Sequence, residues 1–358
     1  MLCLAATLKN ETVALLLLII CPLFIPLASA EPQAPAIPVG RIPYGIAYDP
    51  VKGEIMVTNA DSNTVSIISD ANNTVLATVG VGTAPHGIAY DQERKEVFVA
   101  NLLSNSISVI SDQNNTVLDT ISVGSGPHGL AYDPNMGQIF VTNDKSRSLS
   151  VISDSTDAVT ATIQLDDYPF GIAYDPQMGE VFVTGSDSTV SVISDKTDTV
   201  VDTISAGGYP FDIAYDPAMG EMFVTGPDST ISVISDRTDS TVATIRVGNS
   251  PYYISDGPSG EMLVTGYNSR TVSVISDRSN AISKTIDVGV IPFGIVYDPK
   301  YDGVFVTIHN SDAVSELHLA SPVPEFPFAT SALSAGILLL LYLARLHKSV
   351  LPGGSTDT

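Results

Sequence analysis

Short apolar runs recur along the chain between polar breakers, and they come in groups of four. Within Tyr168–Gly208 the runs Gly171–Tyr174, Val181–Thr184, Thr189–Ser194 and Val200–Ser205 are separated by Asp-Pro, Gly, Ser-Asp and Thr-Asp. Runs of this length and β-branched content predict four strands, a to d, joined by tight turns. From Tyr209 onward the chain writes nearly the same segment again.

The tyrosine of the Ala-Tyr-Asp motif marks the period: Tyr48, Tyr90, Tyr132, Tyr174, Tyr215, a degenerate copy around Ile254 to Asp256, and Tyr297, at steps of 41 or 42. One four-stranded unit cannot cover both faces of its own sheet and must stack on its neighbours. Seven copies therefore predict an all-β, seven-bladed β-propeller. The first copy is preceded by Ala36–Gly40, AIPVG, which matches the end of strand d elsewhere (ISVG at Ile121, IRVG at Ile245). The last copy has strands a to c between Phe293 and Leu319 and then runs into Ser321-Pro322-Val323-Pro324 with no strand d. The N-terminal segment is expected to supply that strand and remove two open sheet edges. Pro38 fits there, since an outermost strand has an unpaired side. The degenerate sixth copy lacks the motif tyrosine and one turn residue, which predicts the least well packed blade.

The flanks of the repeat assign the domains. Residues 1–30 read as an export signal, with Lys9, an apolar stretch from Val13 to Leu27, and Ala28-Ser29-Ala30 ending in a cleavage position at Ala30; an uncleaved N-terminal anchor is the rival reading. Residues 31–320 are the propeller and 321–327 a linker. The apolar run 328–344 has the length of a transmembrane helix, and the tail 345–358 begins with Arg345, His347 and Lys348, which suits the cytoplasmic side. Both cysteines, Cys3 and Cys21, precede the cleavage position, so the mature chain is expected to have no disulfide or thiolate metal site. With 39 acidic against 16 basic residues the net charge is -23. Repulsion then disfavours nucleic acid and anionic membrane surfaces as partners.

Strand b reads MVTN at Met56, FVAN at Phe98, FVTN at Phe140, FVTG at Phe182 and Phe223, LVTG at Leu263 and FVTI at Phe305, and strand c repeats SVISD. Residues 36–319 thereby resemble the YVTN-family β-propeller repeats of archaeal and bacterial surface-layer proteins. Their leading residue is Phe, Met or Leu in place of Tyr, and Asn gives way to Gly or Ile in four copies. Pro324, Glu325, Phe326 and Pro327, followed by the apolar run and basic residues, resemble a PEF-type C-terminal sorting signal. That resemblance implies processing by a sortase-like membrane peptidase, with a permanent anchor as the alternative.

The residue after the proline that opens each copy should sit at the mouth of the central channel: Tyr44, His86, His128, Phe170, Phe211, Tyr252 and Phe293. Zinc or iron needs three or four converging donors, and even with His309 from a b–c loop the neighbours here are Tyr and Phe, so ordinary rim residues are the favoured reading over a metal site. The rings serve either as a ligand-contact rim or as a plug. Asp49, Asp91, Asp133, Asp175, Asp216 and Asp298 end strand a, and Asp70, Asp112, Asp154, Asp195, Asp236 and Asp277 end strand c, all on the opposite face. Calcium could bind such oxygen-rich rims, but Asp hydrogen-bonding its own turn explains them more simply. Asn72-Asn73-Thr74 and Asn114-Asn115-Thr116 are glycosylation acceptors at Asn72 and Asn114.

No HExxH, GxSxG or Gly-rich phosphate loop occurs, and no odd residue set stands out as catalytic, so no cofactor is assigned. The expected function is a non-enzymatic cell-surface protein, external to the membrane, that binds surface proteins or envelope polysaccharide through the d–a and b–c loops. The alternative is an exported propeller enzyme of lactonase or lyase type with its site at the channel mouth, an analogy of fold alone.

Overall fold

The structure, a computed structural model, describes residues 36–226, 228–248 and 250–319. The chain divides into two units, 1–317 and 318–358, and the propeller is the first. Seven four-stranded antiparallel sheets follow one another as blades. Blade one comprises Pro43–Asp49, Glu54–Asn59, Thr64–Ser69 and Val75–Gly80. Blade four comprises Pro169–Asp175, Glu180–Gly185, Thr189–Ser194 and Thr199–Ser205, within a residue or two of the expected spans. Strand a of each blade lies against strand a of the next, and that of blade seven lies against that of blade one.

Burial explains the unbroken apolar reading of strands b and c. Each blade is covered on both faces, so Phe98, Phe140, Phe182, Phe223 and Phe305 of strand b are fully buried between sheets. Burying one such ring is worth about 2–3 kcal/mol. Strand d is the outer edge and turns only one apolar residue firmly inward, as at Ile121, Ile163, Ile204 and Ile245.

The N-terminal strand Ala36–Pro38 completes blade seven, as the sequence predicts. It pairs antiparallel with Ala313–His318, setting Ala36 opposite Ser315, Ile37 opposite Val314 and Pro38 opposite Ala313. Ile37 is buried in the core shared by blades seven and one, beside Ile55, Ile68, Phe305 and Val314. Further contacts reinforce the closure: Val39 N–H donates to the Asp312 carbonyl at 2.9 Å, and Lys300 Nζ pairs with Asp70 Oδ2 at 3.3 Å.

The sixth blade departs from expectation in where its loss falls. Ile254, Met262, Val264 and Ile275 are as buried as their counterparts. Pairing Ile254 with Val264 and Asp256 with Met262 puts Asp256 in the register of the motif tyrosine, and Asp256 is exposed. The defect is therefore at the exposed C-terminal end of one strand, not in the core. The export signal, Ala30, the Pro324-Glu325-Phe326-Pro327 motif, the apolar run 328–344 and the basic tail lie outside the described residues; among the described residues no helix is long and apolar enough to cross a membrane.

Candidate functional site

The threonine of strand b builds the channel mouth. In blade four, Pro169 pairs with Gly185 and Ile172 with Val183, so Phe170 and Gly171 together oppose Thr184 in a β-bulge. The Gly171 N–H freed by the bulge donates to Thr184 Oγ1 at 2.8 Å, and that hydroxyl donates to the Phe211 carbonyl of the next blade at 3.1 Å. The same relay joins Thr58 to His86, Thr142 to Phe170, Thr225 to Tyr252 and Thr307 to Tyr44. Glycine follows the mouth residue in five blades because the next backbone comes so close. A Cβ at Gly45, Gly87, Gly129 or Gly294 would stand 2.3, 2.1, 2.7 or 2.4 Å from the carbonyl oxygen of the adjacent mouth residue.

Seven converging bulges bring the mouth residues together, and their rings collapse on one another. Tyr44 stacks on His86 with centroids 4.0 Å apart, His86 meets His128 at 5.2 Å, and His128 meets Phe170 at 5.9 Å. On the other side Tyr44 meets Phe293 at 5.2 Å, Phe293 meets Tyr252 at 5.2 Å, and Tyr252 meets Phe211 at 4.9 Å. Tyr44 and Phe293 are buried and the other five are half-buried. Of the two roles open to these rings, such packing suits a plug: apolar rings this close to the axis shed more water by packing together than by facing solvent.

The two neighbouring histidines sit inside this cluster and stay neutral. Burial, with the nearby His128, His309 and Lys145, pushes His86 down to about 3, and burial alone pushes His128 down to about 4. His309 stacks on Phe293 at 4.5 Å instead of joining the pair. Among the described residues no three His, Cys, Asp or Glu side chains are grouped as a metal site.

Beneath the rings lies a cavity of about 460 Å³, reaching from His128, Phe170, Phe211 and Tyr252 at the mouth to Ser255 and Asp256 at the inner ends of the strands. Two blades break the glycine rule along its wall. Blade five carries Asp212 and blade six Tyr253 where the others carry glycine. Asp212 N–H keeps the bulge bond to Thr225 Oγ1 at 3.0 Å, while Asp212 Oδ2 accepts the Ile254 N–H at 3.1 Å. Burial pushes the Asp212 carboxyl up to about 7, the bonds from the Ile254 and Ile213 N–H groups opposing the rise. The Asp256 carboxyl is also raised, burial outweighing the bond from its own backbone N–H. These two departures were the odd residue set that strand-by-strand reading missed. Aligning the residue after each mouth position, Gly in five copies and Asp or Tyr in two, was the signal that could have found them.

The acidic positions on the opposite face act within turns. Oδ1 of Asp49, Asp91, Asp133, Asp175, Asp216 and Asp298 accepts the N–H two residues on, at 2.7–2.8 Å in every case. The motif tyrosines donate to the strand-c aspartates, Tyr90 to Asp112 at 2.9 Å, Tyr174 to Asp195 at 3.0 Å and Tyr48 to Asp70 at 3.3 Å. This gives Asp and Tyr a recurring structural role within each blade, and Lys300–Asp70 and Lys52–Asp112 extend it to the neighbouring blade. Asn72 and Asn114 are exposed in their c–d turns, each accepting the hydroxyl of its sequon threonine.

On the face of the d–a and b–c loops, three tyrosines project from consecutive blades. Tyr168, Tyr209 and Tyr267 are 41%, 54% and 37% exposed. Arg147 lies over the Tyr168 ring and donates to its hydroxyl at 2.9 Å.

Residues 33–176 match the family described as YNCE-like beta-propeller. The match ends in blade four, before every departure just described. Among curated proteins none matches. Among solved structures 1835 chains match, so the architecture alone selects no function. One of them, Kuenenia stuttgartiensis hydrazine synthase, superposes with a TM-score of 0.71 at 16% identity, over 82% of this chain and 99% of that one. At that identity the likeness is one of fold.

Proposed function

We propose that this chain is an exported, membrane-anchored, non-enzymatic surface protein whose propeller binds envelope glycan, or a protein partner, through the face of the d–a and b–c loops. The observation that carries the reading is the run of exposed Tyr168, Tyr209 and Tyr267 on three consecutive blades. An exposed tyrosine offers a flat apolar face with a polar edge, suited to stacking on a sugar ring or anchoring a protein at low ordering cost. The loops around them differ from blade to blade: GSDS, GPDS and GYNSR in blades four to six against NADSN, NLLSN and NDKSR in blades one to three. A rim that contacts a partner gains specificity from such variation, whereas positions that only build a blade recur. Among the described residues, no serine or threonine hydroxyl is hydrogen-bonded to His86, His128 or His309, so the mouth lends no support to a hydrolytic nucleophile.

The test is binding of purified envelope polysaccharide, and of surface-protein extract, to the full-length chain and to a Tyr168→Ala, Tyr209→Ala, Tyr267→Ala triple variant. Loss of binding with an unchanged melting temperature is expected. Retained binding in the folded variant removes this face from consideration. External protease on intact cells should digest the propeller, and full protection contradicts the surface location.

A further inference from the structure

The central cavity differs from the tyrosine face in kind: it is concave, aromatic and acidic. Its volume, about 460 Å³, falls in the range of small-molecule sites, and its wall has the make-up of one, mostly apolar with a few converging polar groups. The aromatic residues Phe170, Phe211, Tyr252 and Tyr253 and the acids Asp212 and Asp256 are among the residues that line it. The four ion pairs among the described residues involve neither aspartate. Asp212 is held by backbone N–H groups alone, and its side chain occupies a place where five blades have none.

A strict repeat makes that substitution informative. The glycine position is where a side chain is hardest to fit, and the two blades that place one there are adjacent and face the same space. One contributes an anion and the other an aromatic face. Rings attract a cation through their electron-rich faces, the more so where water is scarce, and a carboxylate set among them supplies the balancing charge. The acidic exterior, with a net charge of -23, draws cations towards the open end at Asp256.

We infer that the central channel is a binding site for a small organic cation, an alkylammonium group seated against Tyr252, Tyr253, Phe170 and Phe211 with Asp212 as its counter-ion. Asp256 forms the acidic entrance. The site touches the tyrosine face only where Tyr267 packs on Tyr252, with centroids 6.0 Å apart, and the two assignments have separate tests, so either can fail without the other.

Calorimetric titration of the full-length protein with choline, with tetramethylammonium and with dimethylbutanol, the uncharged carbon isostere of choline, tests the inference. Choline and tetramethylammonium should bind, and the isostere should bind at least about tenfold more weakly, since only the charge is removed. Asp212→Asn should weaken choline binding at least about tenfold while the far-ultraviolet spectrum is unchanged. Asp212→Gly, which restores the residue of the other blades, provides a second variant should the first fold poorly. Failure of both cations to bind, equal binding of the isostere, or undiminished binding in the folded variants overturns the assignment. The comparison of choline with its isostere requires no variant.

Discussion

Blades one to three and blades four to six are built by the same rules and differ at the end of strand b, at the bulge and on the rim. In the first set strand b ends in Asn59, Asn101 and Asn143, whose Nδ2 atoms donate to strand-c hydroxyls at Ser66, Ser108 and Ser150, each at 3.0 Å. In the second the asparagine is Gly185, Gly226 or Gly266, so that tie is absent. Asp212 and Tyr253 replace the bulge glycine, Asp256 replaces the motif tyrosine, and the exposed tyrosines stand on these same blades. The buried phenylalanines Phe182 and Phe223 and the Thr184 and Thr225 relays continue through blades four and five, whereas blade six has buried Leu263 and its Thr265 hydroxyl bonds the Tyr253 carbonyl of its own blade. The stacking core keeps a large apolar residue throughout, Met56 and Leu263 standing for phenylalanine in blades one and six, while the channel wall and one rim change in chemical kind.

The sharpest way to break the comparison is to damage what both halves share. Removing residues 36–40 takes Ile37 and a three-residue ladder from blade seven and bares an edge, and should cost on the order of 5 kcal/mol and promote association. A monomeric elution profile with an unchanged melting temperature contradicts the closure. Phe140→Ala in blade three and Phe182→Ala in blade four should each cost about 3–5 kcal/mol in denaturant unfolding. A clear inequality between them would show that the two halves differ in their cores as well.

A transplant probes the wall directly. Gly129→Asp writes the blade-five residue into blade three, where a Cβ would stand 2.7 Å from the Phe170 carbonyl oxygen. The crowding and the added buried carboxyl should cost about 3 kcal/mol or more in the denaturant midpoint. A neutral result would mean that any blade accepts a side chain there, and the substitutions in blades five and six would lose their meaning.

How much of this was legible beforehand follows from the physics of repeats. The blade count, the strand spans and the closing strand could be read from the sequence, because Asp-Pro turns, alternating breakers and the AIPVG fragment act locally. The mouth positions Tyr44, His86, His128, Phe170, Phe211, Tyr252 and Phe293 were placed correctly along the chain. Their exposure was not legible, since it depends on how closely seven bulges approach the axis. Asp212 lay hidden because its importance is a contrast: one acid is unremarkable in a chain with 39 acidic residues until its six counterparts are set beside it. The exposed Tyr168 and Tyr209 precede the opening prolines, and only the turn of the chain over the rim decides that their rings face outward.

Titration separates Asp212 from the rest of the protein. Its folded value of about 7 lies above an ordinary unfolded value of about 3.9, so folding favours the protonated form. Its favourable contribution is full below about pH 4, is lost as pH rises towards 7, and stays lost above that. His86 and His128 run the other way, since their depressed values make the fold less stable as pH falls below about 6.5. Comparing Asp212→Asn with the parent cancels the histidines. The variant should gain on the parent from pH 4 to 7 and hold a lead of about 2 kcal/mol above, a figure reduced for the water the cavity admits. A difference independent of pH would show that Asp212 is not a buried acid.

The smallest effect expected is the most telling for the outer rim. Tyr209 is 54% exposed, so Tyr209→Ala removes little buried surface and should change stability by no more than about 0.5 kcal/mol. Tyr44, in strand a of blade one, is buried and touches His86, His128, Tyr253 and Phe293. Tyr44→Ala should cost about 3 kcal/mol by the cavity it leaves. Measured together with polysaccharide binding, the pair gives a crossed pattern: Tyr209→Ala loses binding and keeps stability, whereas Tyr44→Ala loses stability and, where it remains folded, keeps binding. If Tyr44→Ala leaves the melting temperature unchanged and abolishes binding, the mouth rings are a contact rim and not a plug, and the working face moves inward from the loops of blades four to six to the axis.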